Sequence, residues 1–203
     1  MSIRPMNIRE SAIEILTDWQ APDPALLAYI DAGEAAGVDK GYKCSIRKPW
    51  WSTPSLWVPD LFMLRQIHLA PRLTVNAAAA TSTDTVHRVR VAPHIDPTAL
   101  AAVFHNSATF AFAEIMGRSY GGGILELEPA EAEQLPIPPP VYVGAELAAD
   151  VDLLLKANEI DKALDVVDRH VLIDGLGWSP DVVAQCRSAW VALRGRRTKR
   201  GSR

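Results

Sequence analysis

The sequence predicts an α+β fold: a mixed domain with a small sheet and one long helix, followed by a C-terminal helical subdomain. Three observations predict it. Residues 61–92 hold three strand-like runs separated by turn-forming residues, Asp96-Pro97 opens an apolar, helix-periodic stretch reaching about Met116, and beyond the proline-rich residues 135–140 the composition turns acidic and helical. A chain of 203 residues, 48% of them hydrophobic, is long enough for one sizeable core or for a domain with a smaller appendage.

Taken in order, residues 11–19 are ambiguous. Asp23 as N-cap and Pro24 at the first helical position then start a helix that Gly33 and Gly37 end. Residues 42–47 alternate as a strand does, and Pro49, Pro54 and Pro59 break the following chain into a loop bearing Trp50, Trp51 and Trp57. Strands are expected over 61–68, 72–76 and 85–92, the last carrying Val86, Val89 and Val91. The long helix places Leu100, Val103, Phe104, Phe110, Ala111 and Ile115 on one broad side and His105, Asn106 and Thr109 opposite, with Glu114 one turn from Arg118 as its expected partner, a catalytic role being the alternative. Gly117 ends it, residues 124–128 form a strand, and Leu135-Pro136-Ile137-Pro138-Pro139-Pro140 is a rigid connector. Helices over 145–156, 159–173 and 180–193 complete the chain. The expected organisation is therefore a domain at 1–140, a helical subdomain at 141–194 and a basic, disordered tail at 195–203.

The net charge of −3 conceals a segregation. Residues 38–92 carry eight cations against three anions, and residues 146–174 carry three cations against eight anions. The first segment suits phosphate, whereas the second would be repelled by it. No apolar stretch approaches the ~20 residues that cross a bilayer, and the N-terminus lacks the apolar centre of a signal peptide, so a cytoplasmic protein is expected. Cys44 and Cys186 offer neither a disulfide framework nor a metal pair. The five histidines have no metal-ligand spacing, no Gly-x-Ser-x-Gly elbow marks a nucleophile, and Pro59-Asp60 lacks the acid-x-Lys element of a nuclease.

The most informative stretch is Gly117-Arg118-Ser119-Tyr120-Gly121-Gly122-Gly123, followed by Ile124-Leu125-Glu126-Leu127-Glu128-Pro129 and the Leu135-Pro136-Ile137-Pro138 exit. Three glycines after a cation and an aromatic make a bare backbone that another molecule can approach closely, or a tight chain reversal under the sheet. This stretch, together with Lys43-Cys44-Ser45-Ile46-Arg47-Lys48-Pro49-Trp50-Trp51, Val58-Pro59-Asp60, Asn76 and residues 81–90, resembles the C-terminal target-recognition region of gamma-group DNA adenine methyltransferases of restriction-modification systems. The resemblance runs from about Gly37 to Pro140.

That resemblance implies a DNA-binding set of Lys43, Arg47, Lys48, Trp50, Trp51, Asn76, Thr81, Thr83, Arg88, Arg90, Arg118, Tyr120, Gly121, Gly122 and Gly123, with double-stranded DNA as partner. Each has a plainer reading. One tryptophan of the adjacent pair anchors the loop while the other stacks on a base. Arg88 and Arg90 share one strand face, for a groove or for salt bridges, while His87 points the other way as a packed or capping side chain. Asn76, Thr81 and Thr83 read base edges or cap their own loop. The chain has neither the Gly-rich turn that binds S-adenosylmethionine in such enzymes nor their Asn/Asp/Ser-Pro-Pro-Tyr/Phe motif. The expectation is thus no cofactor or catalytic residue in this chain, S-adenosylmethionine on a missing catalytic domain, and a truncated or split enzyme. A separately encoded methyltransferase catalytic domain or restriction endonuclease is the expected protein partner. The alternative is an interaction module that binds such a partner through its acidic helices.

Overall fold

The computed structural model describes residues 24–52 and 57–200. The chain divides into two compact units, Met1–Trp57 and Val58–Arg203. In the first, α1 (Pro24–Ala35) leads through a 3-10 turn, Val38–Lys40, into α2 (Tyr42–Ser45). The expected strand over 42–47 is therefore a helical turn: the amides of Cys44 and Ser45 both bond the Gly41 carbonyl. Gly37, at φ 74°, follows α1 as expected. Gly33 does not end it; it lies inside α1 under the Trp50 ring, where a β-carbon would fall 2.8 Å from Cη2. The cap expected at Asp23 and the segment 11–19 lie outside the described residues.

The second unit holds two three-stranded antiparallel sheets. One has the order β3 (Leu73–Val75), β1 (Leu61–Leu64), β4 (Val86–Val89), and the other β2 (Gln66–Ile67), β6 (Ile124–Glu126), β5 (Arg118–Tyr120). The expected 61–68 strand thus splits at Arg65 and serves both sheets. Helix α3 (Pro97–Phe104) starts from Asp96, whose carboxylate accepts from the Thr98 amide at 2.8 Å. The long helix expected to Met116 breaks after Phe104, and α4 (Ser107–Met116) departs at 73°. Asn106 makes the break: its Oδ1 accepts from the Thr109 amide and its Nδ2 donates to the Val103 carbonyl, both at 2.8 Å. Such an internal cap satisfies the amides of a new helix without a loop. His105, Asn106 and Thr109, expected on an outer side, are buried, whereas Ile115 is exposed.

After a short turn, α5 (Pro129–Ala132), come α6 (Ala145–Lys156), α7 (Ile160–Val167) continued by a π-helical stretch, Asp168–Gly175, and α8 (Pro180–Arg200). The expected disordered tail is corrected here: α8 runs to Arg200, and Arg197 is buried within it. The boundary expected at residue 140 does not divide compact units either, because Leu164 and Trp190 pack in one core with Leu61, Ile67, Phe110 and Leu125 of the sheets and α4. A second core joins α3 to α6, α7 and the π-helical stretch through Ala102, Val103, Val151, Val167 and Leu172. The two cores meet along α4, whose N-terminus is fixed by Asp168: this buried carboxylate accepts from the Ser107 amide at 2.8 Å and hydroxyl at 2.5 Å, with Arg187 3.2 Å away. Burial pushes the Asp168 carboxyl above its usual range, against the opposing pull of Ser107 and Arg187. The fold is α+β. Among the described residues, no single helix is long and apolar enough to cross a membrane.

Candidate nucleic-acid interface

In the first unit, the Trp50 indole donates to Glu34 at 2.8 Å and its ring covers Gly33. Trp50 therefore anchors the loop to α1. Trp51 is half-buried, Arg47 reaches the Ser52 carbonyl at 3.5 Å, and Lys43 and Lys48 are exposed.

In the second unit, strand register decides which side chains face outward. Leu61 pairs with Val75 and Val89, and Met63 with Leu73 and His87, so these face the core. His87 is fixed there by a 2.7 Å hydrogen bond between Nε2 and the Leu127 carbonyl. Pleating then puts Thr74, Phe62 and Arg88 in one row across the opposite face. Arg90 continues on the Arg88 side, one residue past β4, and is exposed. Phe62 was not anticipated as part of this face; its place between core residues Leu61 and Met63 carries the signal.

The loop beside this face is built by its own side chains. Asn76 Nδ2 donates to the carbonyls of Pro59 and Ala80, and Asn76 Oδ1 accepts from the Ala80 amide at 3.0 Å. With all its amide atoms bonded within the protein, Asn76 staples the loop, the capping role that its residue type also allowed. Asp60 likewise accepts from the Val91 amide at 2.8 Å. Thr81 and Thr83 are exposed, and Arg88 reaches the Thr81 hydroxyl at 3.4 Å.

Two other cations of the basic segment are engaged inside the fold. Arg65 bridges Glu126 and Glu128 at 2.9 and 2.7 Å, and this pairing, Glu128 foremost, holds its pKa above the usual arginine value. Arg72 donates to the Leu155 carbonyl and to Asn158.

The glycine run separates into two parts. Arg118 and Tyr120 lie on β5 and are exposed; Gly121 and Gly122 are also exposed, and β-carbons added to them would meet nothing within 4 Å. Gly123, by contrast, is buried against α8: a β-carbon there would lie 3.0 Å from Thr198 Cα, and its carbonyl accepts from Arg197. The close backbone approach that a bare glycine permits is at this position made by α8.

Glu114 does not pair with Arg118. It forms a bidentate pair with Arg197 at 2.7 and 2.9 Å, the two side chains only 2% and 3% exposed, and Arg197 also donates to the His68 carbonyl at 2.9 Å. Arg118 instead meets Glu131 at 2.7 Å. That hydrogen bond raises the arginine pKa, and the Glu128 amide together with Arg118 keeps the Glu131 carboxyl below its usual range.

The glycine loop is not built as a nucleotide cradle. Gly121–Gly123 join two antiparallel strands rather than a strand and a helix, so the loop lacks the helix N-terminus of a nucleotide cradle, and the nearby carboxylates of Glu114 and Glu126 are held by Arg197 and Arg65. Among the described residues, no group of three His, Cys, Asp or Glu side chains is placed to hold a metal.

The fold and this surface define an α+β module with a cationic sheet face and an exposed, glycine-bearing hairpin. The chain belongs to the family described as type II methyltransferase M.Eco57I, C-terminal domain, whose model matches residues 10–172. No curated protein and no solved structure matches it.

Proposed function

We propose that this methyltransferase C-terminal domain is a DNA target-recognition part of an adenine-specific, gamma-group restriction-modification enzyme, with S-adenosylmethionine bound and the methyl group transferred by a catalytic region outside this chain. One observation carries the reading: the β1–β3–β4 sheet turns Arg88 and Phe62 to the face opposite its core, with Arg90 exposed beside them. A cation paired with an aromatic on a sheet face is suited to phosphate and base contact. Within the second unit, Arg118, Tyr120, Gly121 and Gly122 are further exposed candidates for DNA contact; in the first unit, taken by itself, the candidates are Lys43, Arg47, Lys48 and Trp51. Thr83, and Thr81 beside Arg88, are the exposed loop hydroxyls proposed to meet bases, while Asn76, Trp50 and Gly123 are read as supports of the surface.

Titration of a short fluorescent duplex with the full chain and with Arg88→Ala/Arg90→Ala tests this. The double variant should bind at least tenfold more weakly at near-physiological salt while remaining folded, with a melting temperature within a few degrees of wild type. Wild-type affinity in the variant would contradict the sheet-face assignment.

A further inference from the structure

We infer that the C-terminal end of α8 is a second phosphate-binding element, with Arg196 and Lys199 as its contacts, fused to the exposed glycine turn by the buried Arg197. The inference rests on the DNA-binding reading and adds a surface to it. This end of α8 lies beyond residue 172, where the family match stops.

Three observations converge. First, residues 194–203 carry six cations and no acid. Arg196 and Lys199 are exposed, make no ion pair among the described residues, and stand three apart on a helix, hence on one face. Second, Arg197 points the other way and is fully engaged: it holds Glu114, the His68 carbonyl and the Gly123 carbonyl. The Glu114 charge is thereby neutralised, leaving the outward cations unopposed by it. Third, Arg196 lines a cleft of about 220 Å³ with Ser119, Leu125, Leu193 and the paired Glu114 and Arg197, between α8 and the β5–β6 hairpin whose turn carries the exposed Gly121 and Gly122. Cations beside a bare, exposed turn present what a phosphodiester backbone needs: charge, and no side chain in its path. The occupant is a nucleic-acid strand rather than an acidic protein segment, because two exposed cations on one helix face beside a turn without side chains match a chain of regularly repeated phosphates.

The test compares Arg196→Ala/Lys199→Ala with Arg88→Ala/Arg90→Ala and wild type, titrating one labelled duplex of mixed sequence over a salt series and melting each protein. The α8 variant should keep its melting temperature, and its log–log salt slope should be shallower by about 2, one phosphate being released per lost cation. If only the sheet variant weakens binding, the α8 proposal is overturned and the sheet-face reading stands. If only the α8 variant does, the reverse holds. A lower melting temperature with an unchanged slope means that the two cations merely complement the helix dipole, and the proposal fails. No binding by wild type at low salt overturns both.

Discussion

Two arginine–glutamate pairs flank the glycine run, and they differ in everything except their chemistry. Arg197–Glu114 is almost fully buried and adds backbone carbonyls of two other segments to its partners, whereas Arg118–Glu131 leaves the arginine 58% and the glutamate 18% exposed. The first pair fixes α8 to the sheet and to Gly123. The second sits on a surface where solvent screening removes most of its value, so Arg118 can exchange its carboxylate for a phosphate at little loss. Burial rather than residue type therefore separates the part of the glycine segment committed to the fold from the part left exposed.

Breaking the buried pair should produce the largest effect. Arg197→Met leaves Glu114 as an unpaired buried charge and should cost about 3–5 kcal/mol in denaturant unfolding. Adding Glu114→Leu should recover part of that loss, since removing both charges is less harmful than removing one. If the single and double variants unfold alike, the ion pair is not the link between α8 and the hairpin.

His105 supplies a pH probe of the same committed core. Its Nδ1 contacts the Ala101 carbonyl at 2.7 Å, and burial lowers its pKa from 6.5 to about 4. The unfolded chain therefore binds a proton that the folded chain refuses between these values, so stability is lost as pH falls from 6.5 towards 4, by about 3 kcal/mol over the full span. His105→Phe should be less stable than wild type at pH 7 but should lose less on acidification, as read from urea midpoints at pH 7 and pH 4.5. Equal acid sensitivity of the two proteins would rule out a neutral, buried His105.

Much of this was legible in the sequence, and the failures have particular causes. The α+β class, the helices over 145–156 and from Pro180, the strand around 86–89 and the inward His87 follow from periodicity and β-propensity, which burial here reinforces. The break at His105-Asn106 did not, because its cap is made by an asparagine inside an uninterrupted apolar run, and period alone cannot distinguish a continuous helix from two helices meeting at 73°. Residues 42–47 alternate like a strand but follow Gly41, whose carbonyl starts a helical turn. The basic C-terminal segment was misread because six cations without an acid look like a solvated tail; that Arg197 is buried depends on Glu114, far away in sequence.

The interface itself was partly legible. Arg88 and Arg90 sharing a face is a property of the strand, but the roles of Asn76, Trp50 and Gly123 depend on partners that spacing does not reveal. Asn76→Ala should cost about 1–3 kcal/mol, because the Ala80 amide and two carbonyls lose their partner. It should leave intrinsic duplex affinity unchanged in the folded fraction, so a loss of affinity without a loss of stability would return Asn76 to the base-reading set. The smallest effect on stability is expected from Arg118→Ala, with a melting temperature within about a degree of wild type and weaker duplex binding. A marked drop in melting temperature with unchanged binding would make Arg118 a fold element like Arg197.

The central claim, that the outward cations of this domain meet phosphate, is tested most directly by titrating wild-type protein with duplex DNA across a salt series. The account predicts a linear fall of log affinity with log salt concentration, with a slope of about −0.9 for each phosphate neutralised and a total steeper than about −3. Binding that is insensitive to salt, or no binding at low ionic strength, would contradict it.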